Sequence, residues 1–578
     1  MDDSRPYRPH KRVHARPISP SSSVSPDDVD TIDAIDTVPL ASSDWWLPEV
    51  QPPYSRVDEE TIRLAPQGRP PRRGVSRRKL LVGAGAGAVG IGLLGTGAAE
   101  FLARQQTESA TKPISLSSPD AAKIGHMLRR LGFGPSPDDL QEYLDLGVSG
   151  TLDRLLNYSK VSNEALEKRL SSFNFKFTLQ QDIIRWGLLR MIFSQRPFEE
   201  KMTLFWHGVL TSSFTKTGGT EGLPFIIKQD QLLRAKGLGR FDDLVHAMTI
   251  DPSMLFWLDG RLSSGKSPNE NYAREVMELF TMGIGNYTQD DVHQGALALT
   301  GWVVRAGGAT FVPARHYNGP VTFLGHTGPM TVDDVVRLVC AHPATGAHLA
   351  RRMWRFFVYD NPSPRDIQPL SDAYYKSNHN IMAMVRAMVS SPAFFSAQAY
   401  RARVKSPLEF VVGAIRAFGL TTNANGLVNV LSPMGQVPFA PPNVAGWPGD
   451  GASAEWMSTQ AWITRINFAN LAVNAAGRAN ARPRATINLL SPDGTKTIQR
   501  AITQRKLASE DDVVSYYVSV LLDGALDASR RAVLSETLSS SPIKGEPTYT
   551  LAGGKQISAA ATAEMLYLLM SLPEYQMN

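Results

Sequence analysis

Beyond residue 120, apolar residues recur at spacings of three and four, the period that turns one face of a helix toward a core. The pattern runs through 121–132, 138–157, 178–193, 198–212, 223–235, 241–249, 268–282, 289–302, 331–357, 367–397, 404–418, 457–475 and 510–524. Strand signals are few: Thr310-Phe311-Val312 and Val321-Thr322-Phe323-Leu324 could form one small hairpin. No repeat and no alternation of strand and helix is visible. The expected fold is therefore mainly α: one large multi-helix domain over 115–578, with long loops and at most a small β-hairpin. Segments 476–508 and 526–557 read as polar connections or insertions.

The N-terminal part is different. Residues 1–75 are rich in Pro, Ser and Asp, with charge in blocks: Arg5, Arg8, Lys11, Arg12 and Arg16, then Asp27, Asp28, Asp30, Asp33 and Asp36. Such a segment has too little apolar area to offset its ordering entropy, so a disordered leader is expected. Residues 76–104 read as a targeting segment. Ser76-Arg77-Arg78-Lys79-Leu80-Leu81 resembles a twin-arginine export signal, and Leu80 to Ala99 carries no charge over 20 residues. In a helix that stretch spans about 30 Å, enough for an ordinary membrane anchor, which is the alternative. The many glycines make it only mildly apolar and favour the export signal. Either way, the basic N-terminal flank puts residues 105–578 outside the cytoplasm. Expected partners are then the twin-arginine machinery and, through residues 80–99 alone, the membrane. A net charge of +6 over 578 residues gives no case for nucleic acid. Single Cys340 excludes an intramolecular disulfide and a four-Cys zinc site, and its apolar surroundings suggest an inert, buried thiol.

Three motifs raise chemistry. Gly260-Arg261-Leu262-Ser263-Ser264-Gly265-Lys266-Ser267 fits a phosphate-binding loop, but no buried strand precedes it and no Walker B strand is evident. It reads better as a polar turn, with Ser267 and Glu270 forming a capping box at the next helix. In that helix Asn271, Glu275 and Glu278 share one stripe, and Glu270, Arg274 and Glu278 another. Exposed, these rows are a solvated ion-pair ladder; buried, they are a polar network and a candidate site. The largely apolar helix 198–211 carries Glu200, Thr203, His207 and Thr211 on one stripe. His207 is either a satisfied core histidine or a ligand or general base. Glu200 lies two turns away, about 10 Å, so a metal site needs residues from elsewhere. Glu275, Glu278 and His316 are the candidates, and such a set suits a divalent metal. The catalytic centre expected from this reasoning is His207, Arg274 and Glu275, with His207, Glu275, Glu278 and His316 as metal ligands. A haem ligated by His207 or His126 is a weaker option, since no C-x-x-C-H is present.

Several strings resemble the bacterial family called domain of unknown function 1800. They are His126-Met127-Leu128-Arg129-Arg130-Leu131-Gly132-Phe133-Gly134, Lys201-Met202-Thr203-Leu204-Phe205-Trp206-His207, and Asn269-Glu270-Asn271-Tyr272-Ala273-Arg274-Glu275-Val276-Met277-Glu278-Leu279-Phe280-Thr281 with Thr300-Gly301-Trp302. Val404-Lys405-Ser406-Pro407, Pro441-Pro442-Asn443-Val444-Ala445-Gly446-Trp447-Pro448 and Pro573-Glu574-Tyr575-Gln576 follow in the family's order. The resemblance implies one domain over about 120–578, export, and frequent pairing with a sulfatase-like family; it implies no established reaction. Two departures stand out. The family's second His, two residues after His207, is Val209 here, and its H-D-x-G-x-K string reads His316-Tyr317-Asn318-Gly319-Pro320-Val321, without the acid and the Lys.

Two functions follow as expectations. One is an exported enzyme with a buried His/carboxylate site, acting on an envelope or extracellular substrate with or without a divalent metal. The other is a non-catalytic helical scaffold for a co-exported sulfatase-like protein. In the loop 441–456, Trp447 and Trp456 either pack a lid on the core or line a carbohydrate or peptide groove.

Overall fold

The computed structural model describes residues 119–477, 487–491 and 497–578. The expected leader (1–75) and the twin-arginine or anchor segment (76–104) lie outside the described residues. No helix among the described residues is long and apolar enough to cross a membrane.

Local sequence sets most helix starts. Six helices open on a reciprocal capping box: Ser136/Asp139, Thr288/Asp291, Thr331/Asp334, Ser363/Asp366, Ser406/Glu409 and Ser509/Asp512. In each, the hydroxyl accepts the N–H three residues on while the carboxylate accepts the cap's own N–H, so two orphan donors are satisfied at once. Proline breaks the periodic run 331–357 into Val332–Ala341 and Pro343–Phe357, because Pro343 has no N–H to donate. The run 367–397 likewise divides into Pro364–Lys376 and Ile381–Ser390, where Asn378 and His379 take left-handed backbone angles.

Two hydrophobic clusters form the core. One gathers the helices Gln180–Phe193, Pro407–Ala417, Thr459–Gly477, Glu510–Leu522 and Ala559–Met570. The other gathers Pro119–Arg130, Phe241–Thr249, Val332–Ala341, Pro343–Phe357, Pro364–Lys376 and Ile381–Ser390. The helix Pro197–Val209 is the seam: Leu204 packs in the first cluster, whereas Phe198, Met202, Phe205, Trp206 and Val209 pack in the second. It is buried on nearly every face, so any polar side chain on it must find a partner inside the protein.

The fold is mainly α, with small two-stranded antiparallel sheets. The single expected hairpin is corrected. Strand β1 (Trp302–Arg305) pairs with β2 (Gly308–Phe311), and β3 (Val321–Phe323) pairs with β4 (His326–Gly328). Thr310 and Val321 thus belong to different hairpins. The β3–β4 turn is Leu324-Gly325, both at positive φ, the two-residue geometry that matches strand twist. A third pair, β5 (Thr548–Thr550) with β6 (Gln556–Ser558), and the helices Thr497–Gln504 and Ala528–Leu538 occupy segments expected to be connections.

Candidate functional site

The polar stripe of the seam helix is used internally. His207 Nε2 lies 3.1 Å from Asp230 Oδ1 on the helix Leu223–Lys236, and its ring meets Phe439 edge-on. Asp230 also accepts from Arg234 Nε at 2.7 Å, and Arg234 Nη1 lies 2.6 Å from Glu200 Oε1. Arg190 approaches Glu200 at 3.4 Å and Glu167 at 3.0 Å. Burial alone would raise the Asp230 carboxyl, but Arg234 and His207 outweigh it and hold it below the usual carboxylate range. His207 and Asp230 side chains are 6% and 2% exposed, so this inner part of the chain of charges is shut off from solvent, and its outer end, Glu167, is exposed. It ties the helices Glu164–Ser171, Gln180–Phe193, Pro197–Val209 and Leu223–Lys236 together.

The other expected residues are held elsewhere. Arg274 donates to Gln289 at 2.8 Å and sits 3.8 Å from Glu270, which also meets His293, so this row is the exposed ladder. Glu278 accepts the Tyr287 hydroxyl. Glu275 is half-buried, and burial, then Glu278, raises its carboxyl. His316 Nδ1 lies 3.0 Å from the Thr300 carbonyl, with its ring against Phe311. The structure does not gather His207, Glu275, Glu278 and His316, and among the described residues no three His, Cys, Asp or Glu side chains converge to hold a metal ion. The physical reason is that each is held by other partners: His207 by Asp230, Glu278 by Tyr287 and His316 by the Thr300 carbonyl. His126 is likewise occupied, by the Phe394 carbonyl at 2.9 Å.

The glycine-rich motif is also settled locally. The short helix Pro252–Trp257, not a strand, precedes it, and Ser264 and Ser267 pair across a tight turn with Lys266 exposed. The cap of the following helix is Asn269, whose side chain accepts the Asn271 N–H at 2.9 Å; Ser267 is not the cap. That helix runs Glu270–Glu275 and continues as a π-helical turn over Val276–Thr281, a form frequent at functional sites.

The two flagged helices do meet, through a residue that periodicity gave no reason to select. Arg352, on Pro343–Phe357, donates Nη2 to the Gly208 carbonyl at 2.8 Å and Nη1 to the Leu279 carbonyl at 3.1 Å. Both carbonyls lie in last turns, where they lack helical partners, and a cation there is favoured by the helix dipole. His348, one turn earlier, shares the Leu279 carbonyl at 3.1 Å. Beside Arg352 opens a cleft of about 210 Å³, lined by Phe205, Gly208, Val209, His348, Arg355 and Asp450 among others. Asp450 follows directly on the Gly446-Trp447-Pro448-Gly449 string. Two glycines bring it close: a Cβ on Gly208 would lie 2.5 Å from Asp450 Oδ2, and one on Gly446, at φ +101°, would lie 2.8 Å from the Gly208 carbonyl. Trp447 and Trp456 are buried, so the loop packs as a lid and these rings line no groove.

The cleft holds a usable set of protonation states. Burial raises the Asp450 carboxyl to about 6, against the pull of Arg352. Burial, then Arg352, lowers His348 to about 4, which leaves a neutral imidazole near pH 7. A carboxyl that titrates near neutrality, a fixed guanidinium and a neutral imidazole can move a proton beside a bound anion. Val209, where the resemblance has its second His, lines this same cleft as an apolar wall. The missed residues had a signal: Arg351-Arg352 and Arg355 crowd an otherwise apolar helix, and Asp450 extends a motif already noted.

These features define a mainly α protein in which the seam helix and the loop after Asn443 line one polar cleft, and the π-turn helix is tied to it through the Leu279 carbonyl, Arg352 and His348. The chain belongs to the family described as protein of unknown function (DUF1800), whose model matches residues 126–577. No curated protein and no solved structure matches it.

Proposed function

We propose that the protein is an extracytoplasmic enzyme that acts on an anionic substrate by acid–base chemistry at the Asp450–Arg352 cleft. The observation that carries this reading is the convergence of the seam helix, the helix Pro343–Phe357 and the loop of Ala445 and Asp450 on a carboxyl held near its titration point beside a guanidinium. Arg352 and Arg355 supply the positive wall that would hold the anion, Asp450 the proton, and His348 a neutral donor or acceptor fixed by its bond to Leu279. The variants that test it are Asp450→Asn and Arg352→Met. Asp450→Asn should abolish function while leaving the fold intact, because it removes a proton and no packing.

The export half of the proposal rests on Arg77 and Arg78, which precede an uncharged stretch. Arg77→Lys with Arg78→Lys should leave the protein in the cytoplasm, measured by fractionation or a fused reporter. A reporter that still crosses the membrane would favour an ordinary anchor. One observation favours a second reading, a scaffold for a co-exported sulfatase-like protein: Arg352 already serves two helix ends. On that reading Arg352→Met lowers stability and Asp450→Asn changes nothing.

A further inference from the structure

A second cleft, of about 390 Å³, lies apart from the proposed active site and shares no lining residue with it. Four arginines reach it from separate parts of the chain: Arg169 on the helix Glu164–Ser171, Arg416 near the end of Pro407–Ala417, Arg500 on Thr497–Gln504, and Arg505 just beyond. Among the described residues its lining carries one acid, Asp139. That acid is already engaged: it accepts Arg416 Nη2 at 2.7 Å and closes the capping box with Ser136. Arg416 spends further N–H groups on the Gly134 and Ile192 carbonyls, so the pair forms a neutral wall.

The other three guanidiniums are part-buried and have no described carboxylate within ion-pair distance. Arg169 and Arg505 are held in place by neutral groups instead. Arg169 lies 4.0 Å from the centre of the Phe193 ring and donates Nη1 to the Thr421 hydroxyl at 3.2 Å; Arg505 donates Nη2 to the Pro137 carbonyl. Each guanidinium has more N–H donors than these bonds use, and it keeps its charge at any ordinary pH. Arg500 makes no hydrogen bond to a described residue, and its Nη2 reaches the cleft wall at Gly419, 3.5 Å from where a Cβ would stand. Three like charges facing one cleft repel one another, and salt weakens that repulsion without removing it. Fixing them by neutral partners leaves their charge for a group outside the chain. The planar N–H fork of arginine matches the oxygens of a phosphate or sulfate group. Phe418 and Tyr516 add apolar surface to the same lining, and the volume leaves room for a small organic body beside the charged group.

We propose that this cleft binds a small organic anion that carries a phosphate or sulfate ester, with Arg169, Arg500 and Arg505 holding the tetrahedral group. The test uses the folded full chain and two probes, phenyl phosphate and phenyl sulfate, titrated by calorimetry at constant ionic strength. Saturable binding is expected, with melting raised by about 1–3 °C near saturation. A preference for phenyl phosphate marks a phosphate ester as the natural ligand, and a preference for phenyl sulfate marks a sulfate ester. Arg500→Met and Arg169→Met should each weaken binding by about tenfold. Arg305→Met removes an exposed arginine of β1, outside the cleft, and should leave binding unchanged. Arg500→Met breaks no bond to a described residue, so it decides alone if Arg169→Met does not fold. Binding of neither probe overturns the proposal. So does binding that falls equally in Arg305→Met. Binding that survives the cleft substitutions and is lost in Arg352→Met belongs to the Asp450 cleft and overturns it too.

Discussion

Asp230→Ala is expected to destabilise the protein by about 3–5 kcal/mol, because it strips a shared partner from a closed network and leaves Arg234 with Glu200 alone. His207 would lose its Asp230 hydrogen bond at the same time. Arg274→Ala, which removes an exposed ladder, should cost less than about 1 kcal/mol. Urea denaturation of the two variants separates them, and similar midpoints would mean that the seam network carries no more weight than the surface row. The contrast matters because both rows have the same helical spacing in the sequence.

The second large effect concerns pH. Asp251 caps the helix Pro252–Trp257, accepting the Met254 N–H at 3.0 Å and Gln229 Nε2 at 2.6 Å, and is 4% exposed. Burial raises its carboxyl from 3.8 to about 7, more than these hydrogen bonds lower it. A carboxyl raised on folding contributes stability that is fully present below its unfolded value near 4 and is lost as pH rises through 7. The full difference corresponds to roughly 4 kcal/mol. Asp251→Asn keeps an acceptor for the cap and carries no charge, so it should flatten stability between pH 4 and 8 and melt higher than the natural protein at pH 8. Two opposing contributions then remain: Asp450, raised to about 6, has the same sign, whereas the lowered His348 and His126 lose stability as pH falls below their ordinary value. An unchanged pH profile in Asp251→Asn would show that the buried acid is not what the profile reports.

Much of the architecture was legible because it is local. The three-four spacing through Val332–Ala341 depends only on neighbours in sequence, whereas the capping box expected at Ser267/Glu270 gave way to a cap at Asn269. The helix Ala559–Met570 escaped notice because it is apolar on nearly every face and shows no period. The hairpins were mispaired because register depends on turn geometry at Leu324-Gly325, not on strand propensity.

The site was legible only in part. The strings holding His207 and Trp447 adjoin the Asp450–Arg352 cleft. In these two strings the residue lining the cleft is a neighbour, Gly208 or Asp450, and in the π-turn helix it is the Leu279 carbonyl that holds Arg352. One position along a helix is a turn of about 100°, enough to exchange an interior network for an open face. The crowding of Arg351, Arg352 and Arg355 could flag that helix but not Arg352's role, which comes from carbonyls 144 and 73 residues away.

The central claim is that the Asp450–Arg352 cleft performs chemistry on an anionic substrate outside the cytoplasm. Its most direct test compares three strains of the native host: natural, deleted for the gene, and carrying Asp450→Asn in the chromosome. Anionic envelope and medium components are profiled by mass spectrometry, and the variant is confirmed to be exported and folded. The account predicts that Asp450→Asn reproduces the changes seen on deletion, with the same anionic species accumulating. A variant strain that matches the natural one, while the deletion differs, would contradict it and leave the scaffold reading in its place.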